Sequence, residues 1–361
     1  MKKYRVGIIG GTGMVGQRFV TLMAGHPWFE LVVIAASPRS AGKRYEDAVT
    51  GRWAMDCPIP EEAKNIVLMN AQEDVAKISE LVDFVFSAVD MKKDEIKALE
   101  EAYAKCECPV VSNNSAHRWT PDVPMVIPEI NPEHISVIHD QRKRLGTKNG
   151  FIAVKSNCSI QSYVPALSPL REFGIEKILV CTYQAISGAG KTFETWPEMV
   201  DNLIPYIGGE EEKSEQEPLK VWGKVENGVI VNADAPAITA QCLRVPVSNG
   251  HTAAAFVTFT KKPTMEQMKD AWKNFKGRAQ ELNLPTAPKQ FLNYFEEDNR
   301  PQAKLDRDLE GGMAVSIGRL RPDTQYDYKF VSLSHNTLRG AAGGAVLLAE
   351  LLCAEGYIAH K

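Results

Sequence analysis

The sequence predicts an α/β protein of two domains: a doubly wound parallel sheet first, then an α+β domain whose C-terminal helix returns to the first. Three observations carry this. An apolar strand pattern near the N-terminus runs straight into Gly10-Gly11-Thr12-Gly13-Met14-Val15-Gly16 and an amphipathic helix. Strand-then-helix units recur up to about residue 150. Beyond Cys158 the strand-like runs alternate in polarity, and 361 residues exceed what one core ordinarily holds. The expected domains are 1–157, completed by 336–361, and 158–335.

In order, Arg5 to Ile9 is the first strand, with Val6, Ile8 and Ile9 apolar, and the helix after it carries Val15, Phe19, Val20, Leu22 and Met23. Glycines at 10, 13 and 16 form a variant of the dinucleotide-binding fingerprint. Gly10 permits the tight turn, Gly13 lets a pyrophosphate approach the backbone, and Gly16 lets helix and strand pack closely. Thr12, Met14 and Val15 complete that phosphate loop. The next strand, Leu31 to Ala36, discriminates between cofactors. A fold specific for NAD usually ends this strand on Asp or Glu, to bind the ribose 2′-hydroxyl. Here it ends Ala35-Ala36 and continues Ser37-Pro38-Arg39-Ser40, whose hydroxyls and guanidinium suit a 2′-phosphate. The expected cofactor is NADP. Val82 to Ala88, containing Ser87, is another parallel strand, followed by a helix from Lys92 to Lys105. Pro109 to Ser112 leads into the Asn113 to Arg118 loop, expected to border the cofactor crevice. In the second domain, strands are expected at Ile178–Gln184, Ile238–Pro246, Thr252–Thr260, Met313–Arg319 and Tyr326–Ser334, with a helix at Thr264–Phe275. The chain closes on a glycine-rich, then apolar, helix from Asn336 to Glu355.

Composition excludes several classes of function. Net charge is −3, with no basic stripe for nucleic acid or an anionic membrane. No apolar run reaches membrane-spanning length, and the N-terminus runs straight into a strand with an apolar stretch far too short for a signal peptide. Seven cysteines without metal-ligand spacing argue for reduced thiols in the cytoplasm and for no metal site.

Cys158, in Lys155-Ser156-Asn157-Cys158-Ser159, lies where a strand turns into an apolar-periodic segment, expected to be helical. A thiol at a helix N-terminus ionises more easily and becomes a nucleophile. Taken alone, such a cysteine is more often a small buried hydrophobe. Arg244 and His251 flank the turn Val247-Ser248-Asn249-Gly250, which brings both towards one pocket. Histidine supplies the base and acid that a cysteine nucleophile needs. Ser187-Gly188-Ala189-Gly190-Lys191-Thr192 ends like a nucleotide-triphosphate P-loop. The full pattern needs a glycine where Ala185 stands, so hydrolysis of a triphosphate is disfavoured.

These stretches together resemble the aspartate-β-semialdehyde dehydrogenase family, in the form found in archaea, fungi and some bacteria. The resemblance runs along nearly the whole chain: the 10–16 loop, Ser-Asn-Asn-Ser-Ala-His-Arg at 112–118, Ser-Asn-Cys-Ser at 156–159 and Tyr-Gln-Ala-Ile-Ser-Gly-Ala-Gly at 183–190. It continues through Asn-Leu-Ile-Pro-Tyr-Ile at 202–207, Cys-Leu-Arg-Val-Pro-Val at 242–247 and His-Asn-Thr-Leu-Arg-Gly-Ala-Ala-Gly at 335–343.

The resemblance implies NADPH-dependent reductive dephosphorylation of L-aspartyl-4-phosphate to L-aspartate-4-semialdehyde, a step towards lysine, methionine and threonine. It implies Cys158 as nucleophile, His251 as proton shuttle and Gln184 as the group orienting the acyl intermediate. Arg244 is expected on the substrate α-carboxylate and Glu217 on its ammonium. Arg118 and Lys220 are expected on phosphate, and Asn157, beside the thiol, is expected to bind substrate as well. Ser87, Ser187, Gly188, Ala189, Gly190 and Asn336 are expected to join the cofactor site. Glu217 is weighed against a crowded acidic segment in which Glu210, Glu211, Glu212 and Glu215 are expected to be mostly solvated. The second domain is implied to carry the catalytic centre and a homodimer interface, with a tetramer as the alternative assembly. Other phosphorylating acyl reductases, of N-acetyl-glutamyl phosphate or malonyl-coenzyme A, are the neighbouring possibility. A non-catalytic dinucleotide sensor would need neither Cys158 nor His251.

Overall fold

A computed structural model describes residues 2–361. The chain forms two compact units: residues up to Lys155 with Val225–Val231 and Ala342–Lys361, and Ser156–Lys224 with Asn232–Ala341. The first boundary thus lies two residues before the expected one. The chain re-enters the first unit at Ala342, not at Asn336, because residues 336–341 turn within the second unit. There Gly340 N–H donates to His335 O at 2.9 Å and Arg339 Nε to Met313 O at 2.8 Å. The 225–231 segment joins the first unit through Ile230 N–H on Pro121 O, a pairing without a local sequence signal.

In the first unit, β1 (Tyr4–Ile9) leads to α1 (Met14–Met23), then β2 (Phe29–Ala36), β3 (Met69–Asn70) and β4 (Phe84–Ser87). Helix α2 (Lys93–Lys105), β5 (Val110–Ser112) and β6 (Ile152–Val154) follow. The strands pair in the order β3-β2-β1-β4-β5-β6, every pair parallel. This is the doubly wound order, with its reversal between β1 and β4, so a ligand crevice is expected beyond the carboxyl ends of those two strands. All four residues of β4 are buried, as expected of a parallel strand covered on both faces. Phe19 stacks on Phe86 with ring centroids 4.5 Å apart, and Phe29 and Phe84 meet edge to face.

In the second unit, β7 (Ile175–Gln184) is followed by α3 (Glu210–Val221); β8 (Lys224–Glu226) then pairs with β9 (Val229–Val231) in a hairpin that from Val225 on belongs to the first unit. Then come β10 (Ala237–Arg244), β11 (His251–Phe259), α4 (Met265–Asn274), β12 (Leu292–Phe295), β13 (Val315–Pro322) and β14 (Tyr328–Ser334). The sheet order is β10-β7-β11-β14-β13-β12, mixed in direction: β10 runs parallel to β7, and β11 antiparallel to β7 and β14. Trp272 of α4 is fully buried; its Nε1–H donates to Ala166 O at 2.7 Å and its ring stacks on Tyr294. Register places Gln184 opposite Arg244 and His251 opposite Ser334, so the two functional residues of β7 and β10 share one end of the sheet.

The last helix, α5 (Ala342–Ala354), belongs to the first unit and is buried on all sides up to Cys353, which accounts for its apolar run. Its one carboxylate, Glu350, meets His26 Nε2 at 2.9 Å. Among the described residues, no helix is long and apolar enough to cross a membrane.

Candidate active site

In the first unit, the loop after β1 has the shape a dinucleotide phosphate needs. Gly10 has φ +87°, and a β-carbon there would lie 2.4 Å from Ala88 O, beyond β4. A β-carbon on Gly16 would lie 2.2 Å from Gly10 O, whereas one on Gly13 would meet nothing closer than 3.8 Å. The backbone at Gly13 is therefore open at the start of α1, where the N–H groups of the first helical turn favour an anion. Gln17 holds the loop from behind, donating to Thr12 O and Arg52 O, both at 3.0 Å, and Tyr45 OH donates to Gly11 O at 3.1 Å. Met14 and Val15 are half-buried. Ser37 and Arg39 stand exposed after β2, and Ser40 is buried with its N–H on Ser37 O at 2.9 Å. This cradle and donor set fit NADP. Gly16→Ala is expected to force the turn apart and lower affinity for NADPH by roughly tenfold or more, as read by fluorescence titration.

Two members of the expected site face inward. Ser87 is fully buried, and its Oγ accepts a hydrogen bond from Asn114 Nδ2 at 3.0 Å. Arg118 is also buried, with Nε donating to Lys155 O at 3.1 Å.

The second unit brings the expected reactive residues together. Cys158 follows no long helix. After it come a 3-10 turn (Ile160–Ser162), a four-residue helix (Val164–Leu167) and another 3-10 segment (Ser168–Phe173). Pro165 and Pro169 lack the N–H groups a continuous helix needs, so the expected helix dipole is confined to short turns. The thiol instead faces His251: Sγ lies 3.5 Å from Nε2, and Nδ1 accepts the Ala185 N–H at 3.0 Å. Cys158 is half-exposed and His251 fully buried. Arg244, also buried, donates from Nη1 to Ala185 O at 2.8 Å. Burial pushes its guanidinium below the ordinary arginine value, partly offset by its electrostatic interaction with Cys158 and Glu210. A β-carbon on Gly188 would lie 2.9 Å from Arg244 Nη1 and 3.1 Å from His251 Nε2, so the 187–190 loop lies against both side chains. No helix starts at Lys191 or Thr192, as a triphosphate P-loop requires.

Helix α3 corrects the expected solvation of the acidic segment. Glu217 is fully buried and accepts the Asn157 N–H at 2.6 Å. Glu210, seven residues earlier and so two turns along the same face, is also buried. Its carboxylate accepts both Asn157 Nδ2 (3.0 and 3.1 Å) and Gln184 Nε2 (3.2 Å), and pairs with half-exposed Lys213 at 2.7 Å. Glu211 and Glu215 bond to β10 through Cys242 N–H and Ala240 N–H; Glu212 alone of the five is exposed. Lys220 is buried. Glu210 and Lys213 are thus site neighbours that sequence reasoning missed. The signal was present: Glu-x-x-Lys occurs at 210–213 and again at 217–220. Asn336 donates from Nδ2 to Ser187 Oγ at 2.9 Å and accepts the Gly250 N–H at 2.8 Å, tying the 187–190 loop to the turn before His251.

Comparison with known proteins gives this geometry a family. The semialdehyde dehydrogenase NAD-binding domain matches residues 5–138, and the semialdehyde dehydrogenase dimerisation domain matches residues 167–339. The aspartate-semialdehyde dehydrogenase of Archaeoglobus fulgidus is 42% identical over 356 residues, 99% of this chain and all of that one. That of Saccharomyces cerevisiae is 42% identical over 365 residues, 98% of each chain. The crystal structure of the Candida albicans aspartate-semialdehyde dehydrogenase with NADP superposes with a TM-score of 0.88 at 38% identity, covering 99% of this chain and 100% of that one. With both domain models matched and relatives aligned end to end, the chain belongs to the aspartate-semialdehyde dehydrogenase family.

Proposed function

We propose that this protein reduces L-aspartyl-4-phosphate to L-aspartate-4-semialdehyde with NADPH, releasing phosphate, and that Cys158 carries the acyl group between the two half-reactions. The observation that carries this is the Cys158–His251 pair, with Arg244 beside it on the Ala185 backbone. The Cys158 thiolate attacks the acyl phosphate carbonyl, the C–O bond to phosphate breaks, and a thioester remains on Sγ. NADPH, held by the 10–16 loop with Ser37 and Arg39 on its 2′-phosphate, supplies the hydride. The C–S bond then breaks, releasing the aldehyde and returning the thiolate.

The Arg244 guanidinium suits the substrate α-carboxylate as a bidentate partner. Glu210 suits the α-ammonium better than Glu217, because Glu210 sits beside Gln184 and a half-exposed lysine whereas Glu217 is closed over the Asn157 backbone. Gln184 then orients the acyl carbonyl, and Lys213, Lys220 and Arg118 supply cations for phosphate. Asn336 holds the 187–190 loop as a cofactor-facing edge. The family's dimerisation domain supports a homodimer, and seven free thiols in a biosynthetic enzyme support a cytoplasmic site of action.

Phosphate-dependent reduction of NADP⁺ tests the reading, with aspartate semialdehyde compared against N-acetyl-glutamate semialdehyde. The first is expected to be turned over and the second not; the opposite preference would overturn the substrate assignment. Arg39→Ala is expected to raise KM for NADPH about tenfold with kcat little changed, measured by initial rates. An unchanged KM would remove Arg39 from the 2′-phosphate site.

A further inference from the structure

One cation beside the phosphate loop lacks an anion. Arg18 stands on α1, one turn after Met14, the first residue of that helix. It is half-buried, and its Nε–H is closed off from water with no acceptor. Its guanidinium makes no hydrogen bond, ion pair or ring contact with any of the described residues; Thr21 Oγ1 donates only to its backbone O, at 2.8 Å. Other arginines of the same unit are engaged: Arg5 pairs with Asp83, Arg144 with Asp122, and Arg52 donates to Ala48 O. A sealed guanidinium donor without an acceptor is costly, more so than a neutral one.

Side chains on a helix lean towards its N-terminus, over the preceding turn. For Arg18 that turn is Met14 and Val15, next to the open backbone at Gly13. At about 1.5 Å of rise per residue the start of α1 is about 6 Å away along the axis, within the reach of an arginine. A cation there faces the partial positive charge of the helix N-terminus, which is unfavourable. Nothing in α1 relieves it, since the first turn holds no acidic residue and Gly13 supplies no side-chain cap. An anion between the guanidinium and the helix end satisfies both.

We infer that Arg18 is a cofactor-binding residue whose guanidinium holds the pyrophosphate of NADP(H) against the N-terminus of α1. The inference deepens the proposed function and rests on its choice of NADP(H) as the ligand. In a doubly wound fold the glycine loop and the helix after it take the pyrophosphate. The 2′-phosphate belongs at the end of β2, where Ser37 and Arg39 stand exposed. A guanidinium presents parallel N–H groups to two phosphate oxygens, and the sealed Nε–H of Arg18 is suited to be one of them. Arg18 and Arg39 thus divide the charge of the cofactor. Arg18 meets the part that every nicotinamide dinucleotide carries, and Arg39 the part that marks NADP.

Fluorescence titration of the full-length protein with NADPH and with NADH separates these shares without any turnover. Arg18→Gln is expected to weaken both cofactors by the same factor, at least about tenfold, so that the wild-type preference between them is kept. Arg39→Ala, titrated alongside, is expected to weaken NADPH alone. Arg18→Lys keeps the charge but not the fork and is expected to recover part of the loss; it carries the test should Arg18→Gln not fold. Affinities unchanged in both Arg18 variants would overturn the inference. A loss confined to NADPH would move Arg18 to the 2′-phosphate and overturn the pyrophosphate assignment. Equal losses in the glutamine and lysine variants, with Tm lowered in both, would make Arg18 a structural residue and overturn it as well. A wild type that binds neither cofactor would instead overturn the NADPH-dependent reading, and the inference with it.

Discussion

Cys158→Ser is expected to reduce phosphate-dependent turnover of aspartate semialdehyde by at least about a thousandfold while leaving NADPH binding intact. Serine keeps the position 3.5 Å from His251 Nε2, but its hydroxyl ionises far less readily than a thiol and is a poorer leaving group from the tetrahedral intermediate. Three of the other six cysteines are closed to this role by burial. Cys242 and Cys353 are buried, with thiols pushed above their ordinary value chiefly by burial, and Cys108, closed off from water, is pushed up to about 12. Iodoacetamide labelling should therefore inactivate the wild type in proportion to modification of Cys158. Turnover within a few-fold of the wild type in the serine variant would end the covalent mechanism.

The second large effect separates two glutamates on one helix. Glu210→Gln keeps the shape and a bond to Asn157 but removes the charge proposed to meet the substrate ammonium. It is expected to lower kcat/KM for aspartate semialdehyde by about a hundredfold, mostly through KM, with Tm nearly unchanged. Glu217→Ala instead removes the acceptor of the Asn157 N–H at 2.6 Å and leaves a buried donor unpaired. A loss of about 2–3 kcal/mol is expected, and with it a fall in Tm of roughly 5–10 °C. Catalysis in that variant should lose kcat more than KM, because the nucleophile's neighbour has been loosened. If Glu217→Ala raises KM as strongly as Glu210→Gln does, the assignment of the ammonium to Glu210 is wrong. Steady-state kinetics and thermal melts on the same preparations decide between them.

Local steric necessity made part of this legible in the sequence. The glycines at 10, 13 and 16 announce a phosphate loop, because Gly10 needs positive φ and Gly16 tolerates no β-carbon against Gly10 O. The uncharged end of β2 announced the cofactor, and the short turn between Arg244 and His251 announced that both would face one site. Other features depended on contacts distant in the chain. Glu210 and Glu217 share residue type, helix face and a lysine three residues on, so periodicity cannot choose between them; the choice belongs to what the Asn157 loop and Gln184 present to the helix. The overestimated helix after Cys158 is a different case. Pro165 and Pro169 break the helix that the apolar periodicity alone predicts. The return of the chain at Ala342 was hidden because Arg339 is claimed by Met313 O, a tertiary bond with no local trace.

The grip of α3 on Asn157 also limits how this segment can drift in evolution. One carboxylate takes the backbone N–H and the other the side-chain amide, and they are set two helical turns apart. Inserting or deleting one residue between them would rotate one carboxylate by about 100° relative to the other and shift it by about 1.5 Å along the axis. One hold on Asn157, the residue next to Cys158, would be lost. Substitutions at exposed Glu212 and Gln216 disturb neither hold. An acidic stretch that looks like permissive surface is therefore free in composition at those two positions but fixed in length.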